Sequence, residues 1–368
     1  MRILHFISRI IVGLVFMFSG FVKGIDPLGF AYRLEDYFAV WGTEWMTPAA
    51  IALSILLSTA EFVLGFVVLF NLKPRVNAWL LLGMMAFFTV LTFYDALENP
   101  VPDCGCFGDA IKLTNWQTFF KNVILMIPTI ILFIWRKKTV DRYNNFQAYG
   151  IAALSCAAIL SVFIYSYRHL PIIDFMEWKV GNKMYSEEIL PVKYYVTYRN
   201  TETGEEKEYL LPDYPYNDST WMSKWEFLGQ RVEDPNQHPG SDLQIVDLEG
   251  NDVTGMIIRN PDLHFLLIAW NLHESNEKGL KVMREFANAA EEDGYAFSVI
   301  TSSLPPEIDS ISKRLDLNFT FYQADDVVLK TMVRANPGLI MMKDGVVLDK
   351  WSHVDFEEYA DFKKQMNI

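Results

Sequence analysis

Five stretches of this chain are long and apolar enough to cross a lipid bilayer, and that constraint excludes most folds before any other feature is read. They fall at roughly 3–22, 49–70, 76–94, 119–135 and 148–167. A spanning helix needs about 20 mainly apolar residues, because the hydrocarbon core offers no water to satisfy a free backbone N–H or C=O. The first stretch reads as a span and not as a signal peptide. Arg9 interrupts it, no small-x-small cleavage site follows, and further spans come after it.

Flanking charge orients the spans. Lys73 and Arg75 lie between the second and third, and Arg136, Lys137, Lys138 and Arg142 crowd the link between the fourth and fifth. The positive-inside rule makes both links cytoplasmic. Alternation then puts the N-terminus inside, and the 95–118 loop and everything after Tyr167 outside. Arg168 is the only cation flanking the last span, which agrees. The expected location is therefore the inner membrane of a Gram-negative cell, multi-pass, with a cytoplasmic N-terminus and a periplasmic C-terminal domain.

Residues 170–368 read like an acidic soluble protein and supply most of the formal net charge of -13. That balance excludes nucleic-acid binding, which needs Lys and Arg gathered on one face. The expected organisation is a transmembrane domain over 1–168, a small β-rich module or linker over 169–240, and an α/β domain over 241–368.

Glu61 lies near the middle of the second span. Ionisable groups at that depth are costly and face protein. Its structural reading is a bond to a neighbouring helix or to Arg9; its functional reading is a proton carrier or a quinone-facing acid. Ser19, Gly20 and Gly65 offer small surfaces where helices approach closely.

The chain holds three cysteines, Cys104, Cys106 and Cys156, too few for a disulfide-stapled fold. Cys156, among Ala and Ile in the fifth span, reads as a small hydrophobe. Cys104 and Cys106 sit in the loop 98–109, whose Pro100, Pro102, Gly105 and Gly108 make it a tight non-helical turn near the membrane surface. Three readings stay open. In the first, the pair cycles between dithiol and disulfide; Gly105 gives the backbone freedom such a small ring needs, and its strain suits exchange over permanent bracing. In the second it holds a metal. Asp103 and Asp109 would complete a poor zinc set, whereas Cu(I) accepts two thiolates. In the third it is a static disulfide or two free thiols. A quinone is the cofactor that membrane redox chemistry would use, and no quinone motif is visible.

Phe18-Ser19-Gly20-Phe21-Val22-Lys23 in the first span, Ala60-Glu61-Phe62-Val63-Leu64-Gly65 in the second, and Cys104-Gly105-Cys106-Phe107-Gly108 after the third resemble the DoxX/MauE-like membrane proteins over about residues 3–135. The resemblance implies a four-helix core and membrane-associated redox work, including disulfide formation in periplasmic partners. A fifth span and a large C-terminal domain depart from the simplest four-helix pattern.

In the soluble half, 192–198 and 206–211 read as a hairpin across Thr203-Gly204, followed by a Pro- and Trp-rich stretch through Trp221, Trp225 and Pro239. From 242 onward the pattern predicts a second hairpin (243–248 with 253–258). It then predicts a buried strand at 264–270, a helix at 277–293, a strand at 297–301, a helix at 306–315, a strand at 319–323 and a short helix at 326–332. A closing hairpin (339–343 with 346–351) and a helix at 355–365 follow. This order resembles the thioredoxin-like proteins. Pro337, after Asn336, stands where that fold carries its cis-proline, and the groove beside it binds extended peptide by strand addition. The Cys-x-x-Cys of that fold is missing: residues 270–275 read Trp-Asn-Leu-His-Glu-Ser. His273 beside Glu274 reads as a solvated pair, so the domain is expected to bind and not to exchange thiols.

These features point to a redox-associated membrane protein. In that reading Cys104 and Cys106 exchange electrons or disulfides with a periplasmic or membrane protein partner, and the thioredoxin-like domain, through Asn336 and Pro337, recruits it. The alternative is a non-enzymatic scaffold whose two cysteines only brace the loop. A transporter would need polar residues along several spans, and Glu61 is nearly alone.

Overall fold

The computed structural model describes residues 2–101, 104–140, 143–186, 191–233 and 240–366. Pro102, Asp103, Arg142 and Pro239 lie outside the described residues.

Among the described residues, five helices are long and apolar enough to cross a membrane. They are α1 (Arg2–Ile25), α3 (Ala50–Leu69), α4 (Pro74–Glu98), α5 (Asn115–Trp135) and α6 (Asn145–Arg168). Between the first two lies a helix that the hydropathy pattern did not announce, α2 (Pro27–Val40), capped by Asp26, whose carboxylate accepts the Gly29 N–H at 2.9 Å. A 3₁₀ turn over Glu44–Ala49 leads into α3.

Small residues decide how the bundle packs. A Cβ placed on Gly20 would lie 2.5 Å from Phe62 N, and one on Gly65 would lie 2.6 Å from Met17 N, so α1 and α3 cross with their backbones nearly touching. Val12, Phe16, Leu64, Val67, Leu81, Met85, Leu125 and Leu132 fill the interior. Leu80, Phe87, Val90, Ile124 and Leu154 point outward and are exposed, as a lipid-facing surface requires.

The stretch 169–240 is not uniform. Trp178 and Met184 are buried against the second sheet described below, and Gly181 N and Met184 N donate to Val347 O and Gly345 O, both at 2.8 Å. Residues 193–233 instead form a separate three-stranded antiparallel sheet in the order β2-β1-β3. Its strands are β1 (Lys193–Asn200), β2 (Glu206–Leu210) and β3 (Trp225–Glu233), with a short helix α7 (Ser219–Met222) between β2 and β3. The expected hairpin is there; the Trp-rich stretch supplies its third strand. Tyr198, Tyr214, Trp221 and Trp225 stack along one face.

The last unit opens with a correction. The expected second hairpin is a single bridge, Val246 to Asp252, and its second arm is the helix α8 (Thr254–Ile258). The Asp252 carboxylate accepts the Thr254 N–H at 2.9 Å and turns the chain, while Val246 also bridges to Gln323. The remaining elements are β4 (His264–Ile268), α9 (Glu277–Glu292), β5 (Ala296–Thr301), α10 (Pro305–Leu315), β6 (Phe321–Gln323), α11 (Asp326–Met332), β7 (Gly338–Lys343), β8 (Val346–Ser352) and α12 (Tyr359–Met366). The sheet order is β6-β5-β4-β7-β8, with β4, β5 and β6 parallel and β7 and β8 antiparallel. Helices α9, α10 and α12 cover one face and α8 and α11 the other. This is the thioredoxin-like order, and the peptide bond between Asn336 and Pro337 is cis. The molecule is thus a membrane helical bundle followed by an α/β thioredoxin-like domain.

Candidate functional site

The loop between α4 and α5 is fixed from both ends. Asn99 ends α4 with a left-handed φ of 46°, and Asn115 Nδ2 donates to Asn99 Oδ1 and to Val101 O, each at 3.1 Å. Gly105 and Gly108 also have positive φ, and Gly108 N closes a turn onto Gly105 O at 3.0 Å. Gly105 is required twice over: its φ is +64°, and a Cβ there would meet Arg33 Cγ of α2 at 3.1 Å.

Cys104 and Cys106 are free thiols with their sulfurs 2.8 Å apart. Cys104 is 8% exposed and Cys106 is half-buried. Beneath them, Glu61 forms a buried ion pair with Lys23 of α1. Ser19 Oγ lies 2.9 Å from Glu61 Oε1 and 2.6 Å from the Cys106 carbonyl, so its single proton is shared between two acceptors. Glu61 therefore finds partners on the neighbouring helix, at Ser19 and Lys23. The Lys23 ammonium also stands 5.0 Å from the ring centre of Phe30 and 5.6 Å from that of Phe88. Lys121 of α5 lies 4.4 Å over the Phe107 ring. Cys106, Lys23, Glu61, Ser19, Lys121 and Asn122 line a cavity of about 20 Å³, room for a single water. On another side, the Tyr37 hydroxyl of α2 donates to the buried Asp95 at 2.7 Å.

This setting separates the two thiols. The hydrogen bond between the two sulfurs, aided by the ammonium groups of Lys121 and Lys23, pulls the Cys106 thiol down to about 6 against the effect of burial. The same bond, together with burial, pushes Cys104 well above the ordinary thiol range. Of the two, Cys106 is the one whose surroundings favour the thiolate.

The expected partner face at Asn336 and Pro337 lies on the thioredoxin-like domain. Asn336 is used internally: its Oδ1 accepts the Ser275 hydroxyl at 2.7 Å, and its Nδ2 donates to Asn271 O at 2.8 Å. It thereby ties the loop that lacks cysteines to the cis-proline turn. His273 is exposed, and Glu274 faces a cleft of about 890 Å³ shared with Tyr32, Glu35, Arg168, Asn336 and His353. One wall of that cleft is the chain's own membrane half. A second cleft of about 370 Å³, which shares Tyr32, Glu35, Lys330 and Arg334 with the first, reaches Gly105, Gly108 and Lys23.

The two halves meet at ion pairs. Arg334 Nε binds both Asp26 oxygens at 3.1 and 3.0 Å, and its Nη2 reaches Asp109 at 3.2 Å. His169 Nδ1 lies 2.5 Å from Asp355 Oδ1, and the Ser352 hydroxyl donates to Arg168 O at 3.0 Å. The soluble domain therefore docks on the end of the bundle that carries the cysteines. Sequence reasoning missed Lys23, Lys121, Asp26 and Arg334. The visible signals were Lys23 ending an apolar run and Lys121 inside one. Among the described residues, no three His, Cys, Asp or Glu side chains are arranged to hold a metal ion.

Residues 1–136 match the family model described as methylamine utilisation protein MauE. A stretch of 143 residues is 29% identical to Protein TlpB of Flavobacterium psychrophilum and covers 39% of this chain and 35% of that one, about a third of the relative's length. Two solved structures are similar to part of the chain. A candidate protein disulfide isomerase from Bacteroides thetaiotaomicron has 13% identity over 34% of this chain and 82% of its own, with a TM-score of 0.28. A thiol:disulfide interchange protein from Bacteroides sp. has 15% identity over 34% and 86%, with a TM-score of 0.28. The fold described above stands on strand order alone.

Proposed function

Starting from the likeness to MauE over residues 1–136, we propose that this multi-pass membrane protein is a thiol–disulfide exchange protein in which Cys106 attacks and Cys104 resolves. The observation that carries the reading is the pair of free sulfurs 2.8 Å apart, one of them flanked by Lys23 and Lys121 and held down to about 6. A structural disulfide has no use for a stabilised thiolate; an attacking group does.

The exchange balances as follows. The Cys106 thiolate attacks one sulfur of a partner protein's disulfide, forming a Cys106–partner bond, and the partner's other sulfur leaves as thiolate and takes a proton. Cys104 gives up its proton and attacks Cys106 Sγ, forming the Cys104–Cys106 disulfide and releasing the partner's second thiolate. Two electrons pass to the partner. A second partner carrying a dithiol resets the pair by the reverse steps. A quinone is the non-protein alternative as redox partner, but the cavity beside Glu61 and Lys23, with room for a single water, does not take one.

The thiol-free thioredoxin-like domain supplies recognition, with the cleft beside Asn336 and Pro337 receiving an extended segment of the partner. The positive-inside reading puts cleft and thiols on the periplasmic face of the inner membrane. A DoxX-like connection to membrane redox work fits the same reading.

The test is trapping. A Cys104→Ser chain, quenched with acid and alkylated in intact cells, is expected to accumulate mixed disulfides through Cys106, and the wild-type pair to change redox state under mild reductant. If the pair stays fully oxidised and Cys104→Ser traps nothing, the scaffold reading, with a bracing disulfide, takes its place.

A further inference from the structure

The exchange proposed above needs a partner's sulfur to approach Cys106 in line with the bond being broken, and the packing of the cysteine loop narrows that approach. Cys104 is 8% exposed. Cys106 is half-buried and lines a small cavity inside the bundle. Part of the cover is α2. Its Arg33 stem lies over Gly105, and its Tyr37 is anchored to Asp95 of α4.

What holds α2 in place comes from the other half of the molecule. Arg334 follows α11 and stands three residues before the cis Pro337. Its guanidinium is 6% exposed and bridges Asp26, which caps α2, and Asp109, which belongs to the cysteine loop. Its fourth contact, Nη1 to Lys330 O at 2.6 Å, fixes it to α11. The Tyr32 ring of α2 faces two cations of the soluble domain, Lys330 at 4.9 Å and Arg334 at 5.5 Å. One side chain therefore touches the cover, the loop it covers and the turn beside the partner cleft. A buried guanidinium shared by two carboxylates either keeps both or loses much of its stabilisation, which gives the contact two discrete states.

We infer that Arg334 is a latch, a positioning residue that keeps α2 closed over Cys104 and Cys106 until a protein bound in the cleft beside Pro337 draws the soluble domain away. The inference rests on the exchange reading, because it explains how partly covered thiols meet a macromolecule. Occupying the cleft and uncovering Cys106 become one event, so the thiolate is presented only to a partner already held.

The experiment compares access for a small and a bulky alkylating reagent on the full-length reduced chain in detergent, with iodoacetamide and a polyethylene-glycol maleimide as the probes. Arg334→Met keeps the length of the side chain and leaves the two carboxylates able to reach water. It is expected to raise the ratio of bulky to small reagent rates at Cys106 about tenfold, the equivalent of about 1.4 kcal/mol of latching. The small reagent alone is expected to change little, since Lys23 and Lys121 remain. Asp109→Asn, which keeps Asp26 as partner, is expected to give a smaller rise, and the exchanged pair Arg334→Asp with Asp26→Arg to restore closure in part. If Arg334→Met fails to fold, as judged by its tryptic fragment pattern, the Asp109→Asn ratio decides. An unchanged ratio in a folded variant overturns the latch. Alkylation does not depend on exchange, so a failed latch and a failed exchange reading give different results.

Discussion

At the scale of the single residue, the two cysteines differ by their neighbours and not by their chemistry. Cys106 shares a hydrogen bond with Cys104 and faces Lys121 and Lys23, with Glu61 opposing them, while Cys104 is the more deeply buried of the two. Thiolate is the reacting form, so the alkylation rate of Cys106 in the reduced protein is expected to be near its plateau at neutral pH and to fall as pH drops through about 6. Lys121→Met is expected to move that midpoint upward by about one pH unit, because an opposite charge that favoured the thiolate is gone. Mass spectrometry of Cys106 after timed iodoacetamide pulses reads both. A midpoint that stays near the ordinary thiol value in the wild type removes the argument for which cysteine attacks. None of this was legible in the sequence beyond the motif itself. Cys-Gly-Cys marks a pair, but its asymmetry comes from residues on α1, α3 and α5 that the fold brings together.

At the scale of elements, the sequence is most informative where one physical rule dominates. Each expected span has its helix within a few residues, because twenty apolar positions in lipid leave no other solution. The strand and helix order from His264 to Met366 was legible for a similar reason: alternation, buried runs and turn residues agree there. The failures fall where a local side chain outweighs the pattern. Apolar Val253–Ile258 looks like a strand, yet Asp252 starts a helical turn. Amphipathic α2 is too polar for a span and carries no stop signal that hydropathy would register. The crossing of α1 and α3 gives an element-scale prediction. Gly20→Val sets its new carbons against Phe62 N and Ser58 O and is expected to cost about 1–3 kcal/mol by overpacking. Gly83→Val, with nothing within 4 Å, is the neutral control. Thermal unfolding in detergent, monitored by light scattering and fluorescence, separates the two.

At the scale of the molecule, both thiols and the soluble half occupy one end of the bundle, joined by contacts between residues 308 and 225 positions apart. Separations of that length leave no periodicity to read, which is why the docking was invisible beforehand. The charge rule predicts that this end faces outside, an expectation that labelling tests. In intact spheroplasts of a chain whose native cysteines are replaced, Lys179→Cys is expected to react with an impermeant maleimide, and Lys137→Cys only after permeabilisation. The reverse pattern would place the thiols in a reducing compartment and end the exchange proposal. One carboxylate makes the docking mechanically simple. Asp26 accepts the backbone N–H that begins α2 with the same group that receives Arg334. When the guanidinium departs, that N–H keeps its acceptor, so the helix swings as an intact rod about a preserved pivot, and nothing has to refold before it returns.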